Sequence, residues 1–183
     1  STGLPKTTLR SLLDGKSTLK GFSMILQNRT AIVTGAGSGI GQAAALIIAR
    51  EGALVGVVDR NAAGAAQTVE QITAAGGRAE AMVFDLTDDS ALTAEFEGFI
   101  ARNGQIDILH NHAGAQVEGN LEQVSLAGFD KSWALNVRAH FLGARLVMPH
   151  MRAAGKGVIL NTASSSGVLY DREMIAYTTT KHA

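Results

Sequence analysis

The sequence predicts an α/β fold built on a doubly wound parallel sheet with strand order 3-2-1-4-5. Apolar segments of strand length alternate with amphipathic segments of helical length along most of the 183-residue chain. A glycine-rich turn at residues 34–41 joins the first apolar segment to the first helical one, and Asp59 ends the second apolar segment. Alternating strands and helices form parallel sheets through right-handed crossovers, with helices covering both faces. Together these observations indicate a sheet of the Rossmann-like type.

The composition suits one globular domain and argues against several classes of site. Hydrophobic residues make up 46% of the chain, enough to bury a core. The formal net charge is zero, so the charge does not indicate nucleic acid or an anionic membrane as a partner. The absence of cysteine excludes disulfides, thiolate catalysis and zinc–thiolate sites, and no apolar run approaches the ~20 residues of a membrane span. We therefore expect a cytoplasmic protein with no nucleic-acid or membrane partner.

Residues 1–23 differ in composition from the rest of the chain. They are rich in serine and threonine, and they contain four basic residues but only one acidic residue, Asp14. They also lack the continuous apolar segment of a secretory signal. We expect a flexible extension or sequence upstream of the true start, although the composition also fits an organellar transit peptide. The dinucleotide-binding domain is then expected to cover residues 24–183.

The glycine-rich turn predicts a phosphate site. An apolar strand at 30–33 turns sharply into a helix at 42–50, and glycine lowers the steric cost of such a turn. The helix N-terminus presents free N–H groups and a positive dipole end to an anion. Asp59 follows Gly41 by eighteen positions and ends the strand at 54–58, where its carboxylate can accept hydrogen bonds from ribose hydroxyls. This order of elements predicts a dinucleotide site.

The remaining elements follow the same alternation. We predict strands at 79–84, 106–110 and 158–161, and helices at 62–75, 90–102 and 126–154. For the helix at 62–75 the predicted buried face is Ala66, Val69, Ile72 and Thr73, and for the helix at 90–102 it is Leu92, Phe96, Phe99 and Ile100. The ligand is expected beyond the carboxyl ends of the strands.

Acid–base chemistry is indicated near the end of the sequence. Tyr177 and Lys181 are four positions apart, so on a helix they share one face about 6 Å apart along the axis. A phenol with an ordinary pKa of ~10 is a poor base at neutral pH. A neighbouring ammonium in a partly dry cleft would lower that pKa. The polar cluster at 161–165 directly follows a predicted strand, so its hydroxyls would face the same cleft and could hold a substrate oxygen.

With these motifs in order, the sequence resembles the short-chain dehydrogenase/reductase superfamily of the TGxxxGxG type over residues ~25–183. Residues 34–41 fit that turn, and residues 111–114 resemble the family's NNAG with His112 in place of the second asparagine. Ser164 lies thirteen positions before the tyrosine of the YxxxK motif. The resemblance implies four catalytic residues: Asn136, Ser164, Tyr177 and Lys181. It implies, together with the turn and Asp59, these cofactor-binding residues: Gly35, Ser38, Gly39, Ile40, Gly41, Asp59, Arg60, Asp85, Leu86, Asn111, Ala113, Gly114, Tyr177 and Lys181.

The activity implied by this resemblance is an NAD(P)-dependent interconversion of a secondary alcohol and a ketone. Tyr177 would be the acid or base and Ser164 would hold the substrate oxygen. Lys181 would bind the nicotinamide ribose and lower the tyrosine pKa, while Asn136 would connect Lys181 to water. We expect NAD rather than NADP because the Asp59 carboxylate would repel a 2′-phosphate, although Arg60 could pair with one. The expected partner is a small-molecule alcohol or ketone, and relatives suggest a homodimer or homotetramer.

Several alternatives stay open at this stage. His110 and His112 alternate onto one side of a strand, but without a third ligand in the sequence we expect no metal site.

The chain stops two residues after Lys181, whereas family members continue, so we expect the natural protein to be longer. We also expect an exposed apolar edge at 158–160 and mobility from about residue 165. The alternative function is therefore a non-catalytic dinucleotide-binding fragment or pseudoenzyme. Substrate identity would depend on Gln116, Val117, Val168, Leu169 and Tyr170, whose residue types name no molecule.

Overall fold

Five parallel strands form one sheet in the order β3-β2-β1-β4-β5, which confirms the predicted fold class and strand order. The computed structural model describes residues 24–183, so the expected N-terminal extension lies outside the described residues. The strands are β1 (Thr30–Thr34), β2 (Leu54–Asp59), β3 (Arg78–Val83), β4 (Ile108–Asn111) and β5 (Val158–Asn161). In the register, Thr30 lies opposite Leu54, and Ala31 lies opposite Ile108. The sheet order therefore reverses between β1 and β4.

Helices cover both faces of the sheet and create two separate apolar cores. The helices are α1 (Gly39–Arg50), α2 (Ala62–Ala74), α3 (Asp89–Asn103), α4 (Leu126–Trp133), α5 (Ala139–Ala153) and α6 (Ile175–His182). One core joins α1 and α2 to β1 and β2. The other joins α3 and α5 to the opposite face. None of the helices within residues 24–183 has the length and apolar character needed to cross a membrane.

The predicted buried face is confirmed for α3, whereas for α2 it is confirmed only at Ile72. Leu92, Phe96, Phe99 and Ile100 are all buried. The buried residues of α2 are instead Ala65, Thr68 and Ile72, whereas Ala66 and Thr73 are exposed and Val69 is half-buried.

The face of α2 is set by its packing against the glycine-rich turn. The Thr68 hydroxyl donates to the Ala36 carbonyl at 2.9 Å and accepts from Gln42 at 2.9 Å. Gly64 lies so close to the turn that an added Cβ would be 2.7 Å from the Gly37 carbonyl oxygen. These contacts are polar or involve glycine, and apolar periodicity does not report either kind.

The helical region predicted at 126–154 is divided by a π-helical turn. Ala134–Arg138 form this turn between α4 and α5 and place Asn136 in it. A π turn shifts every following side chain around the helix axis, and such turns are frequent at functional sites. The two flanking segments therefore present different faces to the protein.

A buried carboxylate fixes the amino ends of the central strands. Asp107 is 6% exposed and accepts from the Thr30 backbone N–H at 3.0 Å and from the Arg29 guanidinium at 2.9 Å. Its own backbone donates to the Thr30 carbonyl and accepts from the Val158 N–H, both at 2.9 Å. β4 begins at Ile108, two residues after the predicted start at 106.

The far edge of the sheet is apolar and open, as expected from the sequence. β5 is the last strand in the sheet order, and the Val158 and Leu160 side chains are 57% and 53% exposed. An open apolar edge favours pairing with another chain. The mobility expected from about residue 165 stays a prediction; this region holds a short 3₁₀ turn, Ser165–Gly167, and α6.

We predict that Gly41→Ala destabilises the fold whereas Gly98→Ala does not. A Cβ on Gly41 would lie 2.1 Å from the Gly35 carbonyl oxygen, so the turn must open by backbone movement. We expect a loss of about 1–3 kcal/mol or more in the free energy of unfolding, measured by urea denaturation. Gly98 lies within α3, where an added Cβ meets only the flexible end of Arg102. The same change there should stabilise by up to about 1 kcal/mol; equal effects would contradict the close approach at Gly41.

Candidate active site

The glycine-rich turn leaves the N-terminus of α1 open to a ligand. Gly35 and Gly39 have φ values of +66° and +55°, in the left-handed region that favours glycine. Ser38 is the N-cap residue of α1, but its side chain makes no capping hydrogen bond. The backbone N–H groups of the first helical turn therefore remain available for an anion such as a phosphate.

One threonine hydroxyl joins the carboxyl ends of β1 and β4. Thr34 Oγ1 accepts from the backbone N–H groups of His112 at 2.9 Å and Ala113 at 3.0 Å. It donates to the His110 carbonyl at 3.4 Å. The hydroxyl thus fixes the loop after β4 against the glycine-rich turn, at the point where the sheet order reverses.

Asp59 lies at the carboxyl end of β2 and is bonded to the turn. Its Oδ2 accepts from the Gly37 backbone N–H and its Oδ1 from the Asn61 backbone N–H, both at 2.9 Å. A Cβ on Gly37 would lie 2.7 Å from Asp59 Oδ2, so only glycine allows this approach. The carboxylate therefore supports the turn as well as facing the site.

A cavity of about 520 Å³ opens at the carboxyl ends of the strands. This volume is in the range of cofactor sites. Ten predicted cofactor-binding residues line it: Gly35, Ser38, Gly39, Ile40, Asp59, Arg60, Asp85, Leu86, Ala113 and Gly114. The other lining residues were not predicted as cofactor-binding residues: Phe84, Thr87, His112, Ala115, Lys131 and Leu135.

Two predicted residues support the cavity from behind rather than line it. Gly41 packs against the Gly35 carbonyl. Asn111 is 1% exposed, and its side chain donates to Asn161 Oδ1 at 2.9 Å and to the His140 carbonyl at 3.2 Å. Asn111 therefore joins β4 to β5 and α5.

Hydrogen bonds from Thr87 favour the ionised form of Asp85 at the cavity wall. The Thr87 backbone N–H and hydroxyl donate to its Oδ1 at 2.9 and 2.8 Å. These hydrogen bonds are the main reason that the pKa of the Asp85 carboxyl lies below its usual 3.8.

Asn136 joins the cavity loop to the helix that carries Tyr177. Its Oδ1 accepts from the Ala115 backbone N–H at 2.9 Å, and its Nδ2 donates to the Ala115 carbonyl at 3.0 Å. The same Nδ2 donates to Thr180 Oγ1 on α6 at 3.0 Å. The buried amide thereby fixes α6 relative to the loop after β4.

Lys181 and Tyr177 lie together on α6, next to the cavity lining. Lys181 Nζ is 5.7 Å from the centre of the Tyr177 ring and donates to the Thr162 carbonyl at 2.9 Å. A Cβ on Gly114, which lines the cavity, would lie 3.9 Å from Lys181 Nζ. Burial lowers the pKa of the Lys181 ammonium. The ammonium thus lies near both the tyrosine ring and a residue of the cavity wall.

Ser164 lies in a turn that packs against α6. A Cβ on Gly167 would lie 2.4 Å from the Lys181 carbonyl oxygen, which shows how closely this turn approaches the helix. Ser164 Oγ accepts from the Ser166 backbone N–H at 3.2 Å and donates to Ser166 Oγ at 3.2 Å. Ser166 in turn donates to Asp171. The four predicted catalytic residues are therefore carried by three elements around the same end of the sheet.

Three histidines surround the base of this site. His110 Nε2 and His112 Nδ1 each lie 3.1 Å from Thr162 Oγ1, and His140 Nε2 donates to the Ala113 carbonyl at 2.8 Å. Burial is the main cause that lowers the pKa of all three imidazoles, and the charge of Lys181 adds to it for His112 and His140. Across residues 24–183, no cluster of three potential metal ligands occurs. Of these three histidines, only His112 could have been noticed in the sequence as part of the site, because it departs from the family motif.

We predict that the free energy of unfolding falls as the pH drops below about 6.5. The pKa values of His110, His112 and His140 lie below the ordinary 6.5, so the unfolded chain binds more protons than the folded chain in this range. The stability is complete above 6.5 and is lost as the pH falls toward the lowered values. The carboxyl pKa values of Asp85, Asp88 and Asp89 lie below 3.8, so these carboxyl groups change the free energy of unfolding only in more acidic solution.

Urea denaturation at pH 7.5 and 5.5 checks this expectation. The loss of stability should be smaller in His140→Gln than in the wild type. In His150→Gln the loss of stability should equal that of the wild type, because His150 is exposed on the same helix as His140. A wild-type stability that is constant between these pH values would contradict it.

Comparison with known proteins identifies the family of the chain. The family model described as short chain dehydrogenase matches residues 29–183. A cyclohexanol dehydrogenase of Acinetobacter sp. (strain SE19) is 35% identical over 156 residues, which are 85% of this chain and 62% of that protein. The chain spans about six tenths of the length of this curated relative.

Solved structures agree in fold. A 7α-hydroxysteroid dehydrogenase complexed with NADH and 7-oxo glycochenodeoxycholic acid superposes with a TM-score of 0.83 at 36% identity, covering 87% of this chain and 62% of that one. A metagenomic short-chain oxidoreductase in complex with NADP also gives a TM-score of 0.83 at 36% identity, covering 85% and 71%. With the family model matched from β1 to the end of α6, the resemblance seen in the sequence is confirmed, and the chain belongs to the short-chain dehydrogenase family.

Proposed function

We propose that this protein is an oxidoreductase that uses NAD to interconvert a secondary alcohol and a ketone. The observation that carries the proposal is the position of Lys181, whose ammonium lies beside both the Tyr177 ring and the cavity-lining Gly114. A phenol and an ammonium next to a dinucleotide-sized cavity suit proton transfer beside a cofactor. A protein that only binds a dinucleotide does not need this pair.

The residues of the cavity fit a nicotinamide dinucleotide. The open N-terminus of α1 suits the pyrophosphate, and Asp59 suits the adenosine ribose. Asp85 is the candidate for the adenine amine. When bound, the cofactor supplies the hydride step. The related structures with NADH and with NADP support a nicotinamide cofactor for this chain.

Each of the predicted catalytic side chains would then have its own role in proton transfer. Tyr177 would take the proton from the substrate hydroxyl or return it to the carbonyl. Lys181 would stabilise negative charge as it develops on the phenol oxygen, and Ser164 would orient the substrate oxygen. Acid–base catalysis of this kind typically contributes ~10²–10⁴-fold to the rate. Asn136, which holds the Ala115 loop and Thr180 together, would keep α6 in place during the reaction.

The surface next to Ser164 suggests a substrate with an apolar body. Val168, Leu169 and Tyr170 follow the serine turn and are 78%, 62% and 79% exposed.

The alternative function, dinucleotide binding without turnover, predicts the same cofactor affinity and no activity. A turnover assay of the complete protein against a panel of alcohols therefore separates the two. The cytoplasmic location and the assembly into dimers or tetramers stay predictions.

We predict that Tyr177→Phe in the complete protein abolishes turnover while cofactor affinity stays nearly unchanged. The phenol oxygen serves proton transfer, whereas Lys181→Ala should lower both turnover and affinity because the ammonium lies next to the cofactor cavity. Steady-state kinetics and cofactor titration check both variants. Activity within a few-fold of wild type in Tyr177→Phe would remove Tyr177 from the acid–base role.

We also predict tighter binding of NAD than of NADP. The Asp59 carboxylate lines the cavity at the end of β2 and would repel a 2′-phosphate more strongly than Arg60 attracts it. In Asp59→Asn the preference for NAD should shrink, because the charge is removed while an amide oxygen can still accept from Gly37. Dissociation constants for both cofactors decide the matter, and a lower value for NADP in the wild type would refute this preference.

A further inference from the structure

We propose that His112 is a cofactor-binding residue whose Nε2–H donates to the pyrophosphate of a dinucleotide at the first turn of α1. This inference rests on the proposed function, because it requires a dinucleotide at that turn. His112 stands where the family motif has an asparagine, so the ring is a feature of this chain rather than of the motif.

The His112 ring is held between the end of β5 and the start of α1. Its backbone N–H is fixed by Thr34 Oγ1 at 2.9 Å, and its Nδ1 faces Thr162 Oγ1 at 3.1 Å. On the α1 side, a Cβ on Gly41 would be 2.8 Å from His112 Cδ2. Cδ2 is bonded to Nε2 and lies across the ring from Nδ1. Because Nε2 is bonded to this carbon, it also lies close to the start of α1.

The His112 residue belongs to the cavity wall. His112 lines the cavity together with Ser38, Gly39 and Ile40 of the turn. Within the part of the chain that the structure describes, the one hydrogen bond of the His112 ring is that between Nδ1 and Thr162 Oγ1, which leaves Nε2 without a protein partner. The N–H groups at the start of α1 form an anion site there, and an imidazole N–H beside them would add a side-chain donor.

The hydrogen bonds behind the ring decide which nitrogen carries the proton. Thr162 Oγ1 has one proton and lies between His110 Nε2 and His112 Nδ1. If Thr162 donates to His112 Nδ1, the neutral His112 ring is protonated at Nε2, and His110 Nε2–H donates to Thr162. His110 Nδ1, which is buried without a partner, is then an unprotonated acceptor.

The opposite arrangement has two costs. It would bury an N–H of His110 with no acceptor, and it would turn a lone pair of His112 toward the phosphate. The arrangement with Nε2–H facing the cavity avoids both. Lys181 and His140 are the other cationic or titratable groups near the ring, and burial together with the Lys181 charge favours the neutral form of His112.

The test compares ligands that differ only in phosphate. In the complete protein, His112→Ala should weaken binding of ADP and of NAD by about tenfold or more, and binding of adenosine by less than about twofold. His150→Ala, an exposed histidine on α5, is the matched control and should change none of these dissociation constants. Thr162→Val keeps the ring but removes the proton donor to Nδ1, so it should weaken ADP binding by an intermediate amount.

A spectroscopic readout tests the same assignment without a substitution. In ¹⁵N spectra of histidine-labelled wild-type protein saturated with NAD, His112 should show a protonated Nε2 and an unprotonated Nδ1. Equal losses for ADP and adenosine in His112→Ala, or the opposite tautomer in the complex, would overturn the proposal. If the wild type bound neither NAD nor ADP, the proposed function itself would fail, which is a different outcome from unchanged binding in the variant.

Discussion

The site depends on one hydroxyl group at the point where the sheet order reverses. From the first residue of the glycine-rich turn, Thr34 Oγ1 bonds to the His110 carbonyl in β4 and to the backbone N–H groups of His112 and Ala113 after it. In an open α/β sheet, the crevice at the reversal point receives the ligand because the loops on its two sides run in opposite directions. The Thr34 hydroxyl sets the width of that crevice. The turn and the start of the loop after β4 are joined by this contact, while Asp59 and Asn136 hold the turn and the loop at Gly37 and Ala115.

A second layer of polar contacts carries that position to the proton-transfer side of the site. The Asn136 amide holds the Ala115 loop against Thr180, one residue before Lys181. Lys181 reaches back to the Thr162 carbonyl, and the Thr162 hydroxyl contacts two imidazoles. Strand ends, loop and helix are thus joined by buried and half-buried polar groups, which tolerate little displacement because each lost partner is costly away from water.

The sequence predicted the sheet order, the glycine-rich turn and Asp59 from local signals: apolar segments, glycine spacing and a carboxylate at a strand end. The rest of the predicted cavity lining, such as Asp85 and Gly114, followed from the resemblance to the family. The sequence prediction failed where a tertiary contact decides the outcome. The buried face of α2 follows the Thr68 hydroxyl and the close approach of Gly64, which apolar periodicity does not report. The π turn around Asn136 leaves no compositional trace in 126–154. The position of His112 could be read as a departure from a motif, but its contact with Thr162 depends on a residue fifty positions later.

The carboxylate of Asp107 also has a consequence for how the chain folds. Its bond to the Thr30 N–H joins residues 77 positions apart, whereas β1 and β2 pair across only 24 positions, from Thr30 to Leu54. Contacts between distant residues require a larger loop-closure entropy and form later than local ones. The β1–α1–β2–α2–β3 half can therefore assemble while β4 is still unpaired. Because the crevice lies between β1 and β4, a cofactor would bind only to chains that have completed this late step, and its binding would draw the folding equilibrium toward them.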